Sequence, residues 1–153
     1  MLDTHTQTLV DSIAETLETM AFIMAMPAEE QLEAPCTSVK VSMSFEGPVS
    51  GTIEIMGGNE LVELIAANFL GLEPEDDDVR EKQIDAFKEL LNTICGILLP
   101  KLATAESDIF DITIPVATEY EDVANWDAFV AQEHIAILDC DYYPLAISIT
   151  TSE

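Results

Sequence analysis

Residues 78–99 read DVREKQIDAFKELLNTICGILL, and the spacing of their apolar members decides how the chain is built. Phe87, Leu90, Leu91, Ile94 and Leu98 recur at three- and four-residue steps, the period of a helix with one buried stripe. Asp78 and Glu81 have the spacing of a capping box, in which each side chain satisfies an otherwise orphaned amide, so the helix is expected to start at about Asp78. It is expected to end near Leu99, where Pro100 interrupts it or kinks its last turn. At about 100° per residue, Asp85, Glu89, Asn92 and Gly96 share an arc of about 60° on the side away from the apolar stripe. They make one outward polar ridge, flanked by Lys82 and Lys88.

Upstream, residues 6–26 place Leu9, Ile13, Leu17 and Met20 at helical steps, and Pro27 closes that helix. Val39, Val41, Met43 and Phe45 then alternate with polar residues, and the alternation resumes after Gly47 and Pro48 through Thr52, Ile53, Glu54 and Ile55, which reads as a hairpin. Gly57 and Gly58 break the second strand. Asn59 is expected to cap a helix over 60–70, ended by Gly71. Residues 73–78, five acids and Pro74, form a solvated turn. Downstream, strands are expected over 109–117, 134–140 and 145–150, with Trp126 in a loop and the last two strands joined around Tyr142, Tyr143 and Pro144.

The halves resemble each other. A shift of 74 residues lays Asp11, Glu15 and Glu18 on Asp85, Glu89 and Asn92, and a shift of 96 lays Val41, Pro48, Val49 and Ile53 on Ile137, Pro144, Leu145 and Ile149. The expected architecture is α+β: one domain over 1–153 with a pseudo-twofold repeat and two layers, an antiparallel sheet with helices packed on one face.

Thirty acidic residues against five basic ones give a net charge of −25, which repels nucleic acid and anionic lipid headgroups. Four of the five basic residues, Arg80, Lys82, Lys88 and Lys101, fall in the one helical segment. Cys36, Cys95 and Cys140 stand far apart and signal neither a disulfide framework nor a zinc site, as fits reduced thiols in a cytoplasm. No export signal is expected at the start, and the longest apolar run, residues 20–28, is far short of the roughly 20 residues of a spanning helix. His5, in a terminus expected to fray, and His134, at a strand start, lack companions for a metal site, so no metal is expected on this chain. Met20, Met24 and Met26 read as core filler rather than a binding face. Trp126 is open between anchoring a partner and packing on the sheet.

A solvated helix face is the ordinary explanation of a polar ridge, but two members argue for more. Asn92 costs about half a kcal/mol relative to Ala in mid-helix and Gly96 nearer 1 kcal/mol, so something besides local stability holds them there. Gly96 also leaves the ridge low enough for another molecule to approach closely.

The string Asp85-x3-Glu89-x2-Asn92, followed after 22 residues by Pro115 and accompanied by Gly96, resembles the signature of the CheC/CheX/FliY chemotaxis phosphatases. On the first helix the position matching Asn92 is Glu18 and the one matching Pro115 is Val41, so one active ridge is implied, as in CheX rather than CheC. The resemblance implies a CheC-like fold and a phosphatase acting on the phospho-aspartate of a CheY-like response regulator in two-component signalling. It implies Asn92 as holder of the attacking water, Glu89 as partner of the receiver's active-site lysine, and Asp85, Lys88 and Gly96 as contacts to the partner, with Pro115 structural. Any magnesium is expected in the partner receiver and no cofactor on this chain; a homodimer with exchanged strands is also implied. Two other classes compete: a catalytically silent, phosphate-sensing adaptor of the same fold, and an acidic decoy of nucleic acid.

Overall fold

A computed structural model describes residues 3–105 and 107–152. In chain order the elements are α1 (Thr4–Ala21), β1 (Ala25–Pro27), β2 (Ser38–Glu46), β3 (Ser50–Gly58), α2 (Asn59–Leu70), α3 (Asp77–Leu102), β4 (Asp111–Ile112), β5 (Val116–Tyr120), α4 (Val123–Val130), β6 (Ala136–Cys140) and β7 (Tyr143–Ser152). The strands join in one antiparallel sheet of order β1-β6-β7-β3-β2, with β4 and β5 following each other along the outer edge of β2. The α+β class, the antiparallel pairing and the packing of the long helices on one face of the sheet follow the sequence reading.

Period-two alternation explains the sheet. Val39, Val41, Met43 and Phe45 of β2 are buried on one face while Lys40, Ser42 and Ser44 are half-buried on the other. Onto the buried face pack Leu9, Ile13 and Leu17 of α1, Leu61 and Ile65 of α2, and Phe87, Leu90, Leu91, Ile94 and Leu98 of α3. The repeat is visible in the register. Ile53 of β3 sits directly opposite Ile149 of β7, the residue 96 positions away that the sequence comparison matched to it. A pseudo-twofold axis therefore runs between these two isoleucines. The outer strands are exchanged across it: β1 from the first half pairs with β6 of the second, and β4 and β5 from the second pair with β2 of the first.

Several boundaries differ from the sequence reading. The first helix stops at Ala21, five residues short, because Phe22 adopts a left-handed cap at φ 56° and the chain turns into edge strand β1 ahead of Pro27. Asn59 does not cap α2; it is the first residue inside the helix, and Gly58 in the cap position makes no side-chain bond. The capping box at Asp78 and Glu81 is replaced by Asp76, whose carboxylate accepts from the Asp78 amide, and α3 starts one residue earlier than expected. Pro100 is accommodated because it lies in the last turn, where few carbonyls still depend on a donor four residues on. The strand expected over 109–117 is split into β4 and β5, with Pro115 in the break. His5 is held in the first turn of α1, capped by Asp3, rather than frayed.

The loop expected around Trp126 is the helix α4, and it lies on the sheet face opposite the other helices. Trp126 and Phe129 bury against Met56 and Ala146, the β3 and β7 side chains that point away from the main core. Trp126 thus packs on the sheet.

Candidate active site

On α3 the alternating demands of core and solvent place every ridge residue. Phe87, Leu90, Leu91, Ile94 and Leu98 are fully buried, which fixes the rotation of the helix about its own axis. Asp85, Glu89, Asn92 and Gly96 are accordingly exposed, and Lys88 on the flank is half-buried. Among the described residues the side chains of Asp85, Glu89 and Asn92 take part in no hydrogen bond or ion pair with the rest of the chain, so their polar atoms remain free for another molecule. The five residues singled out from the sequence are therefore brought together on one rigid element, with the amide of Asn92 less than one helical turn beyond the carboxylate of Glu89.

Gly96 is open in a literal sense. A Cβ built there meets nothing within 4 Å, so the missing side chain serves no packing need inside the molecule. Pro100 adds to this, since it has no N–H to give to the Gly96 carbonyl four residues before it. The next residue toward the core behaves oppositely. Cys95 is buried, its thiol faces the Met43 sulfur at 3.7 Å, and burial pushes it up to about 12, so it stays a protonated packing group.

The first helix offers a matching ridge with a different fate. Asp11, Glu15 and Glu18 are exposed on α1 as their counterparts are on α3. There, however, Lys101 reaches across from the end of α3 to within 3.9 Å of Glu15 and donates to the Ser12 hydroxyl at 3.3 Å. Lys101, grouped in the sequence with the basic residues of the α3 segment, thus serves the α1 side. Nothing in its helical position signalled that, because the contact depends on how α1 and α3 cross.

A helix ridge is convex. It can insert into a cleft but cannot enclose a small substrate, so the ridge by itself forms no substrate pocket. Both histidines lie elsewhere, at the start of α1: His134 Nδ1 is 3.6 Å from Asp3, and His5 Nδ1 is 3.4 Å from the Thr151 hydroxyl. Asp3 is held below the usual carboxylate range, chiefly by the backbone N–H of Thr6.

The family model described as "Chemotaxis phosphatase CheX" matches residues 39–133, well over half of the chain. The chain belongs to the CheX family. A search of the curated proteins gives no match. Among solved structures, a putative chemotaxis protein from Desulfovibrio vulgaris Hildenborough superposes with a TM-score of 0.73 at 14% identity, covering 99% of this chain and 100% of that one. The CheX of the CheX–CheY–BeF3–Mg2+ complex from Borrelia burgdorferi superposes at 0.68 with 21% identity and full coverage of both chains. FliY from Thermotoga maritima gives 0.61 at 14% identity, over 97% of this chain and 91% of that one. At these identities the structural likeness establishes the fold. In this CheX-family chain the matched segment contains the whole ridge from Asp85 to Gly96, and Pro115 as well. It does not contain α1.

Among the described residues no helix is long and apolar enough to cross a membrane.

Proposed function

We propose that the chain, folded as one domain over 1–153, docks the α3 ridge on a phosphorylated CheY-like response regulator and hydrolyses its aspartyl phosphate. The observation that carries this reading is an exposed, unengaged carboxamide beside an exposed carboxylate, on a helix whose other face is locked into the core. Family membership and the existence of a CheX–CheY complex among the structural relatives support it.

Asn92 holds the attacking water. Its side chain donates through the N–H groups and accepts through the carbonyl, so it can aim a water in line with the P–O bond to the aspartate without repelling the phosphoryl oxygens. As the water oxygen bonds to phosphorus, that P–O bond breaks and the aspartate leaves as a carboxylate. Glu89 pairs with the receiver's active-site lysine through a charge-assisted hydrogen bond, which sets the register of docking. Asp85 and Lys88 touch the rim and Gly96 gives clearance. Magnesium bound in the receiver offsets phosphoryl charge there, and this chain's residues are not its ligands. The site works in a cytoplasmic protein of the signalling pathway, away from membranes and nucleic acid.

We also read the chain as a homodimer. Ile109, Ile112, Ile114 and Val116 are 48–81% exposed along the β4–β5 edge, an apolar strip on strands whose outer backbone groups are unpaired. Sedimentation equilibrium of wild type and Ile114→Lys is expected to show a dimer and a monomer.

The decisive measurement is the lifetime of a phosphorylated receiver with magnesium, with and without the protein. Wild type is expected to shorten it and Asn92→Ala to remove the effect by about a hundredfold or more, the scale of deleting one positioned transition-state group. Binding without acceleration, equal for both proteins and lost in Glu89→Ala, would instead identify a phosphate-sensing adaptor.

A further inference from the structure

Beside α4, a groove opens between the segment 28–34 and strand β6. Ala136, Leu138 and Cys140 of β6 turn into the main core, so Ile137 and Asp139 turn to the sheet face that carries α4. Ile137 is only half-buried there. Together with Leu32, Ala34, Trp126, Val130 and Ile135 it lines this groove, which also reaches Val10, Ala136 and Leu138 at the margin of the main core and measures about 480 Å3, a size usual for binding pockets of about 300–1,000 Å3. The groove continues to the molecular edge through Pro27, which lines it, and then through Met26, opposite Asp139 in the β1–β6 register. Here the methionine run departs from its expected role as core filler. Met24 is 69% and Met26 47% exposed, and Phe22 beside them is 80% exposed.

Charge identifies the occupant. The ionisable residues lining the groove are Glu30 and Asp127, and Glu29, Glu33 and Asp139 stand near them in the chain or the sheet. The basic residues are elsewhere: Arg80, Lys82, Lys88 and Lys101 on α3, across the sheet, and Lys40 held by Glu54 at 3.5 Å and stacked over the rings of Tyr120 and Phe129. An apolar trough with an acidic rim complements an apolar stripe with a basic rim. A second copy seated here by the same surface would set the acidic rim of Glu30 and Asp127 against its own equivalent, so it is a poor occupant of this groove. Strand addition at β1 is also poor, because that edge is three residues long and ends in Pro27, which has no N–H to donate. A flexible methionine at the mouth, Met26, suits a helix face of varied side chains.

We propose that this groove is a second docking site, independent of the α3 ridge, and that it binds a basic amphipathic helix of a partner protein. Its reporter is built in, since Trp126 is the chain's single tryptophan and lines the groove. The test titrates the full chain with an 18-residue peptide whose leucines follow a helical stripe and whose other positions are lysine. The expected result is a saturable change in Trp126 emission, with helix induced in the peptide, and at least tenfold weaker binding when every lysine is replaced by glutamate. Ile137→Asp and, at the exposed mouth, Met26→Glu are each expected to weaken binding at least fivefold with circular dichroism unchanged. Glu18→Gln, which removes a carboxylate on α1, is expected to leave it within twofold. Binding that leaves Trp126 unchanged, or that Met26→Glu weakens no more than Glu18→Gln, would mean diffuse charge attraction and overturn the site. A wild-type dimer split by Met26→Glu would overturn it as well, by making a second copy the occupant.

Discussion

The two long helices α1 and α3 occupy equivalent places in a pseudo-twofold fold, yet their exposed ridges differ in ways that matter for chemistry. Both bury an apolar stripe in one core and both present a carboxylate at the middle station, Glu15 on α1 and Glu89 on α3. At the next station α1 has Glu18 where α3 has Asn92. A carboxylate there would repel a phosphoryl group where the neutral amide can hold water against it. The middle station differs too, since Glu15 is partnered by Lys101, whereas Glu89 has no ion-pair partner among the described residues. Side-chain replacements, Glu18 for Asn92 and Phe22 for Gly96 on the same 74-residue shift, and one cross-helix contact thus distinguish the α1 ridge from the α3 ridge proposed for docking.

The sharpest way to break this comparison is to exchange the stations. Asn92→Glu, which gives α3 the α1 residue, is expected to abolish receiver dephosphorylation by about a hundredfold or more at unchanged stability. Glu18→Ala is expected to leave the rate within twofold. A receiver lifetime that responds equally to both would put the chemistry on both helices.

The next largest effect lies on the other side of the same helix. Leu91 is fully buried next to Asn92, so Leu91→Ala should lower unfolding free energy by about 2–5 kcal/mol in denaturant titration, while Asn92→Ala changes it by under about 0.5 kcal/mol. Similar losses for the two would mean that Asn92 is a structural residue, contrary to its exposure.

Gly96 separates stability from function by sign. Since a Cβ there meets nothing, Gly96→Ala should stabilise α3 by about 0.5–1 kcal/mol and raise the melting temperature. If the gap exists to let the receiver approach, the same variant slows dephosphorylation. A stabilised protein of full activity would remove Gly96 from the docking surface.

Much of this was legible in the sequence because periodicity reports burial directly. The apolar stripe of α3 and the alternation in β2 placed the ridge outward and the hairpin in the sheet, and the 96-residue shift matched Ile53 to Ile149, which the register sets face to face. What escaped depends on contacts between distant segments. The helical run through Met20 to Met26 looked continuous, but Ile23 and Ala25 are drawn inward at the sheet edge, so alternate residues Phe22, Met24 and Met26 turn out. Trp126 looked like a loop residue because α4 is only eight residues long, too short to show a helical period, and its burial depends on Met56 and Ala146, whose strands are set by the global topology. Among the ridge residues, the sequence separated Asn92 from Glu18 by type alone; the engagement of Glu15 by Lys101 required the helix crossing.

Both helices begin with an aspartate cap, Asp3 on α1 and Asp76 on α3, and replacing either by Ala should cost about 1 kcal/mol. The Asp3 carboxyl lies below its ordinary value, mainly through the Thr6 amide. A depressed carboxyl contributes stability at pH values above its unfolded value of 3.8, and that contribution disappears as pH falls through the lower folded value. Protection of the first-turn amides of α1, taken relative to their intrinsic exchange rates, should therefore fall below about pH 4 in wild type, while in Asp3→Asn this acid-induced loss is absent.

The smallest expected effect tests whether the α1 ridge is inert by composition or by restraint. Lys101 and Glu15 are 41% and 59% exposed at 3.9 Å, a geometry in which solvent screens most of the attraction, so Lys101→Met should change stability by no more than about 0.5 kcal/mol. If Glu18 alone disables the ridge, freeing Glu15 changes nothing, and receiver dephosphorylation stays within twofold of wild type. Lys101→Met combined with Glu18→Asn is the more demanding version, since it gives α1 an amide and a free carboxylate as on α3, with Phe22 still in the place of Gly96. A second activity that survives Asn92→Ala only in this double variant would show that Lys101 restrains a competent ridge. The same activity in Glu18→Asn alone would show that the residue at this one station, and not the Lys101 contact, separates the two ridges.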